Sequence, residues 1–497
     1  MASGVIESPI RHPDRFFIDG EWVSPSSDAT IAVVAPATEQ VWMRVAEAQE
    51  ADIERAIAAA RTAFDAGPWP RMTHRERGAY LHAIADALAR RADDVGAIWP
   101  NEMGVLHATA RAFAGGVGGM YAFYGRLADT FEFEERRHSP AGAACGLLVR
   151  EPVGVVGAII PWNGPISLIA LKLAPALLAG CCVVIKASPE APGHALLMAE
   201  IAQEVGLPPG VVNVVTADRA ASELLVRDPR VDKIAFTGST DAGRRIGAVL
   251  GGRIARQTLE LGGKSAAIIL DDYDAETAAA AIAGRACDLT GQVCASLTRV
   301  IVSADRHDAV VAALADRLGS VRVGDPFDAA SQMGPLATAR QRDRVEGHIA
   351  AARADGFMLA TGGGRPKHLD RGWFVEPTVF GNVDNRSRLA REEVFGPVLA
   401  VIAARDERHV VELANDSPFG LAGTVFTNDP DRAYSVARDL RTGTISHNVL
   451  RLDFSIAFGG FKQSGVGREG GVEGLLPYLE TKTILLDGAP SHLGVAQ

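Results

Sequence analysis

Apolar residues recur at helical spacing early in the chain, at Ile53, Ile57, Ala60 and Phe64 and again at Leu81, Ile84 and Leu88, so two packing helices are expected there. Beyond them the pattern changes. Residues 153–160, 182–185, 211–215 and 233–236 are short apolar runs separated by helical stretches, an alternation that predicts a parallel sheet with crossover helices. A second series follows position 294, with runs at 299–302, 398–403 and 424–426 between helices over 305–318 and 340–354. The pattern alone therefore implies an α/β chain with two such domains. Residues 166–185 approach the length of a membrane span, but Lys172, Pro175 and Gly180 divide them into a buried helix followed by a strand. The charged, alternating residues 132–138 read as an exposed strand.

Composition agrees with more than one domain, because 497 residues exceed what a single hydrophobic core usually serves. The apolar share of 47% and charged share of 22% are those of an ordinary globular protein, and 52 glycines exceed the usual share. A net charge of −10 without basic clusters argues against nucleic-acid binding. Five cysteines without paired spacing indicate neither a disulfide framework nor a metal site, and point to a reducing compartment. The first nine residues lack a basic region followed by an apolar core, so no secretory signal is expected and the location read is cytoplasmic.

Candidate chemistry begins at Cys294, in Thr290-Gly291-Gln292-Val293-Cys294-Ala295-Ser296, with Glu260 upstream in Glu260-Leu261-Gly262-Gly263-Lys264. A thiolate attacks carbonyls, and a carboxylate can take a proton from a thiol or from water. A cysteine taken alone is more often a small buried hydrophobe. Gly238-Ser239-Thr240-Asp241-Ala242-Gly243 lies between an apolar run and a helical stretch, which suits a phosphate held at a helix N-terminus. Asn163, in Trp162-Asn163-Gly164-Pro165, has an ordinary explanation as a turn residue.

Together these segments resemble the aldehyde dehydrogenase superfamily, nearly end to end. The matching landmarks, in the family's order, are Pro161-Trp162-Asn163, Lys186 with Ser188, Phe236-Thr237-Gly238-Ser239-Thr240, Glu260-Leu261-Gly262-Gly263-Lys264, Gly291-Gln292-Val293-Cys294, Glu393-Val394-Phe395-Gly396-Pro397 and Phe458-Gly459-Gly460-Phe461-Lys462-Gln463-Ser464-Gly465. The resemblance implies a Rossmann-like cofactor domain over residues 1–133 and 153–262, an α/β catalytic domain over 263–477, and a small β oligomerisation hairpin formed by 134–152 with 478–497. It implies a homodimer or homotetramer, and no membrane partner.

By the same resemblance, Cys294 adds to an aldehyde, Asn163 and the backbone N–H of Cys294 hold the oxyanion, and Glu260 activates water to hydrolyse the thioester. Trp162, Gly238 and Gly243 belong to the cofactor-binding segments, Lys186 and Ser188 hold the adenosine ribose, Ser239 approaches the pyrophosphate, and Glu393 with Phe395 holds the nicotinamide ribose. Many NAD-preferring relatives carry a glutamate three residues after the lysine, where this chain has Pro189 followed by Glu190. NAD is the expected coenzyme, with NADP left open. Two alternatives stand beside hydrolysis: a coenzyme A-acylating semialdehyde dehydrogenase, disfavoured by the presence of Glu260, and a binding protein that keeps the fold without turnover. Lys172 is expected to be structural or to belong to a proton route near Glu260. For the substrate channel, Gly164, Leu168, Leu171 and Phe458 suggest a medium or bulky hydrophobic aldehyde, while Asp288 and Arg451 suggest a polar one unless they face solvent.

Overall fold

The computed structural model describes residues 7–491, so the first six residues, including most of the segment inspected for a signal, and the last six of the oligomerisation element lie outside it. Each early apolar run becomes a strand of one eight-stranded sheet. Its order is Glu21–Val23, Phe16–Ile18, Val212–Thr216, Cys182–Ala187, Val155–Ile159, Lys233–Thr237, Arg256–Glu260, Gly465–Val466. The five strands from Val212–Thr216 to Arg256–Glu260 are parallel, and the outer ones pair antiparallel. Four of those five are buried along their whole length, which is why they read as continuous apolar runs without alternation.

From Val155–Ile159 the chain builds outward in one direction, through Cys182–Ala187 to Val212–Thr216, then returns to lay Lys233–Thr237 on the other side. The sheet therefore has a switch point between Val155–Ile159 and Lys233–Thr237, and ligands of such sheets bind beyond the carboxyl ends of the strands there. The segments leaving those ends are Pro161-Trp162-Asn163 and Gly238-Ser239.

The second series forms a seven-stranded sheet in the order Met358–Thr361, Thr378–Gly381, Val398–Ala404, Arg299–Ser303, Ala266–Ile269, Ala422–Phe426, Thr444–His447, parallel except for the first pair. It has apolar clusters of its own on both faces. The connection 261–265 carries the chain from the end of Arg256–Glu260 in the first sheet to the start of Ala266–Ile269 in the second. One boundary differs from expectation. Gly465–Val466 is antiparallel to Arg256–Glu260, and Leu475 and Tyr478 are buried in the first core, so the chain rejoins the first layer before residue 477.

The expected hairpin is Glu134–Arg137 paired with Cys145–Pro152, and Leu479–Leu486 adds along the other edge of the second strand. The helix-then-strand reading of 166–185 matches Pro165–Ala179 followed by Cys182–Ala187, with Gly180 at φ 100° ending the helix where a side chain would be strained. Among the described residues no helix is long and apolar enough to cross a membrane.

Candidate active site

Cys294 is carried by a strained loop. Leu289, Thr290 and Gly291 have φ of 48°, 57° and 71° in succession, a left-handed run in which only the glycine is at ease. Side chains hold it in place. Thr290 Oγ1 donates to the Gly334 carbonyl at 3.1 Å, Gln292 Nε2 donates to the Leu289 carbonyl at 2.9 Å, and Gln292 Oε1 accepts the Ala337 N–H at 3.0 Å. A Cβ at Gly291 would fall 2.4 Å from the Gly396 carbonyl carbon, so this loop and the Glu393–Pro397 segment need that glycine to pack.

Asn163 reaches the same loop, its Nδ2 donating to the Gln292 carbonyl at 3.0 Å. The amide thus contacts the loop two residues before Cys294. Cys294 itself is half-buried, and desolvation, then the Glu393 and Glu260 carboxylates, push its thiol up to about 12. The thiol is therefore protonated at rest.

Glu260 ends the strand Arg256–Glu260 and is only 3% exposed, with neither carboxylate oxygen hydrogen-bonded to protein. Gly459 makes its room, since a Cβ there would stand 2.7 Å from Glu260 Oε1. The next turn brings the Glu260 and Cys294 segments together: a Cβ at Gly263 would be 2.2 Å from the Cys294 carbonyl oxygen. Burial and the Glu469 carboxylate raise the Glu260 carboxyl well above its usual range, against the opposing pull of Lys172 and Arg468. Lys172 has found the partner its apolar helix demanded: its Nζ donates to Thr237 Oγ1 at 2.6 Å and to Glu469 Oε1 at 2.7 Å, fully buried. An unpaired buried ammonium would cost several kcal/mol.

Among the residues expected to hold the coenzyme, Lys186 is the penultimate residue of the strand Cys182–Ala187, 8% exposed, with one long contact of 3.4 Å from Nζ to the Ala217 carbonyl. Desolvation brings its ammonium down to about 8, with Glu190 and Asp218 opposing. An acceptor-rich ligand fits this under-satisfied donor. Ser188 donates to Glu190. Ser239 is the N-cap of Thr240–Arg253, accepting the Ala242 N–H at 3.3 Å, at a helix N-terminus suited to phosphate. Gly238 turns tightly beside Phe236, whereas Gly243 serves packing, because a Cβ there would lie 2.5 Å from the Leu261 side chain. Glu393 turns inward, its Oε1 accepting the Gly263 N–H at 3.0 Å, while Glu392 is exposed. Phe395 and Trp162 meet edge to face at 5.4 Å.

Among the residues expected to line the substrate channel, Gly164 leaves room beside it: a Cβ there would meet only Leu168, at 3.8 Å. Two lining expectations need correction. Leu171 is 1% exposed and therefore a packing residue, and Asp288 faces outward, its side chain 47% exposed and paired with Arg285 at 3.1 Å. Arg451 is also exposed, donating to the His447 carbonyl at 3.2 Å. Phe458 is buried, edge to face with Phe454 at 5.3 Å. Leu450, Leu452 and Phe454 were missed. They alternate with exposed Arg451, Asp453 and Ser455, and they join Val293, Cys294 and Phe458 in one apolar cluster. The period-2 alternation at 450–454 was their signal.

A buried carboxylate and a cysteine on facing segments lie beside a switch point that carries a lysine, a serine and a helix N-terminus, an arrangement suited to dinucleotide-dependent thiol chemistry. Residues 22–484 match the model of the Aldehyde dehydrogenase family. The chain belongs to that family. It is 42% identical over 475 residues to geranial dehydrogenase of Castellaniella defragrans, covering 95% of this chain and 99% of that one. Among solved structures, an aldehyde dehydrogenase of Mycobacterium tuberculosis complexed with NAD+ superposes with a TM-score of 0.93 at 42% identity, covering 95% of this chain and 98% of that one. A mutant of aldehyde dehydrogenase C from Pseudomonas syringae, complexed with NAD+ and octanal, gives 0.92 at 38%, covering 96% and 98%. The protein is an NAD(P)-dependent aldehyde dehydrogenase.

Proposed function

We propose that this enzyme oxidises medium-sized apolar aldehydes to free acids, with Cys294 as nucleophile, Asn163 as oxyanion donor and Glu260 as the base for hydrolysis. The observation that carries the substrate reading is the alternation at 450–455, which turns Leu450, Leu452 and Phe454 toward the cluster holding Cys294 and turns Arg451 and Asp453 to solvent. Desolvating a charged aldehyde there would be costly, and an apolar one favourable. Geranial and octanal, named with two of the relatives, are of this apolar class.

The thiol must lose its proton before it attacks, and Glu260, unpaired and within electrostatic reach of Cys294, is the group able to receive it. The oxyanion that forms is held by Asn163 Nδ2 and the backbone N–H of Cys294, and one such preorganised donor is worth about 3 kcal/mol. The nicotinamide coenzyme, when bound, would supply the acceptor for the hydride of this oxidation. The resulting Cys294 thioester is hydrolysed by water that Glu260 deprotonates, with the buried Lys172–Glu469 pair acting on its charge. Glu260 favours hydrolysis over transfer to coenzyme A.

Lys186, Ser188, Gly238 and Ser239 would hold the adenosine and phosphate end of the coenzyme, and Trp162, Glu393 and Phe395 its nicotinamide end. We assign the first sheet to coenzyme binding, the second to catalysis, and the three-stranded sheet to joining subunits in a cytoplasmic homo-oligomer. The test is kcat/KM over straight-chain, aromatic, terpenoid and carboxylate-bearing aldehydes. Apolar substrates should lead by on the order of a hundredfold over carboxylate-bearing ones. Gly164→Phe should penalise terpenoid aldehydes far more than acetaldehyde, and equal losses across the panel would defeat the channel assignment.

A further inference from the structure

Residues 458–469 fold back on themselves beside Glu260. Phe458 and Glu469 bridge antiparallel, with N–H to carbonyl distances of 2.6 and 2.8 Å, and Gly465 between them pairs with Glu260 itself. Arg468 and Glu469 arrive there as chain neighbours, but their side chains part. Glu469 goes inward to Lys172 and is 1% exposed, whereas Arg468 stays half-buried.

Arg468 lies close to Glu260 without bonding to it. A Cβ at Gly459 would stand 2.7 Å from Glu260 Oε1 and 2.9 Å from Arg468 Cδ, so the width of one missing methyl separates the carboxylate from the arginine stem. One terminal nitrogen of the guanidinium donates to the Gly460 carbonyl at 3.2 Å and to the Gly467 carbonyl at 2.6 Å, and its central carbon stands 5.6 Å from the centre of the Phe461 ring. Carbonyls and a ring face hold a cation in place without neutralising it. Among the described residues, no carboxylate forms an ion pair with Arg468.

The charge of Lys172, by contrast, is matched by Glu469 at 2.7 Å. The charged and titratable groups that face Glu260 are Glu469 and Arg468 from this stretch, Lys172 from Pro165–Ala179, and Cys294 from its loop. Glu469 acts on Glu260 more strongly than Lys172 does, so the buried pair as a whole favours the protonated carboxyl. Arg468 is the unmatched positive charge that opposes it.

We infer that Arg468 is a positioning residue of the hydrolytic step, an unpaired cation that supports the negative charge of Glu260 and leaves both carboxylate oxygens free to take a proton from water. The inference rests on Glu260 being the base of that step. A contact ion pair would occupy an oxygen that water needs, whereas a cation held just beyond contact stabilises the ionised carboxylate through space alone. Arg468 itself exchanges no proton, because a guanidinium stays charged.

The experiment mixes the full-length enzyme rapidly with NAD+ and octanal and follows decay of the acyl enzyme against pH by quenching and intact-protein mass. It is run on wild type, Arg468→Gln, Arg468→Lys and Glu260→Gln. Losing the cation disfavours the ionised carboxylate, so in Arg468→Gln the rising limb of the decay rate moves to higher pH by about half a unit or more, and decay on that limb slows about threefold or more. Arg468→Lys keeps the charge and loses the fork, and leaves the limb where the wild type has it. A merely structural role would slow both variants alike with the limb unmoved. That result, or equal limb shifts in the two, overturns the inference while Glu260→Gln still decays slowly at every pH. Decay as fast as wild type in Glu260→Gln removes the base assignment itself, and the inference with it.

Discussion

At the scale of single residues, the site is governed by groups held away from their ordinary protonation. The Cys294 thiol is pushed up to about 12 and the Glu260 carboxyl is raised, so each partner needs the other to exchange a proton. Glu260→Gln removes the acceptor for the second half of the reaction, so rapid mixing should show a burst of NADH followed by turnover slowed about 100-fold or more. Turnover equal to wild type with no burst would take Glu260 out of this role. Glu469 raises Glu260 because a neighbouring negative charge disfavours its ionisation. Glu469→Gln should therefore move the rising limb of the pH–kcat profile to lower pH, toward acid where Glu260 would otherwise be protonated; a limb that stays in place breaks the link between these two groups. Cys294, Glu260 and Asn163 stand out in the sequence because their motifs are local strings. Asp288 was misread because six residues of spacing from Cys294 say nothing of direction, and three left-handed residues in between turn the chain. Leu171 was misread because helical spacing puts residues on one side of a helix without saying what covers that side.

At the scale of elements, the strands were legible and their fastenings were not. Runs such as 182–185 and 233–236 announce buried parallel strands by losing alternation, and both became strands within two residues of their expected ends. Nothing local announces Arg77. It is 2% exposed in the helix His74–Arg90 and donates to the Leu178 carbonyl at 2.9 Å, to Met72 at 2.6 Å and to Trp69 at 3.3 Å. Leu178 lies in the last turn of Pro165–Ala179, the helix that carries Leu168 and Lys172, so a cation here satisfies free carbonyls and the negative end of that helix. Arg77→Met should cost about 3 kcal/mol, because buried carbonyls lose their donors. Urea unfolding would register it as a lower midpoint at unchanged slope, and a midpoint equal to wild type would make the contact ornamental.

At the scale of the whole molecule, the sheet of Leu479–Leu486, Cys145–Pro152 and Glu134–Arg137 exposes a long edge. Leu479–Leu486 is eight residues long, carries Leu485 at 56% exposure, and pairs on one side only. Such an edge invites another chain. Light scattering should find an oligomer in wild type and a smaller species in Leu485→Asp, with a monomeric wild type at micromolar concentration counting against the assignment. Periodicity made the two α/β layers legible, but the return of the chain to the first sheet was not, because a two-residue strand at Gly465–Val466 has no period to detect.

That return has a consequence for how the enzyme comes into being. Gly459, which makes room for Glu260, and Glu469, which faces it, arrive about two hundred residues after Glu260 itself has left the ribosome. Until they do, the first sheet lacks its last strand and the carboxylate lacks its pocket. One late stretch of chain thus closes both layers.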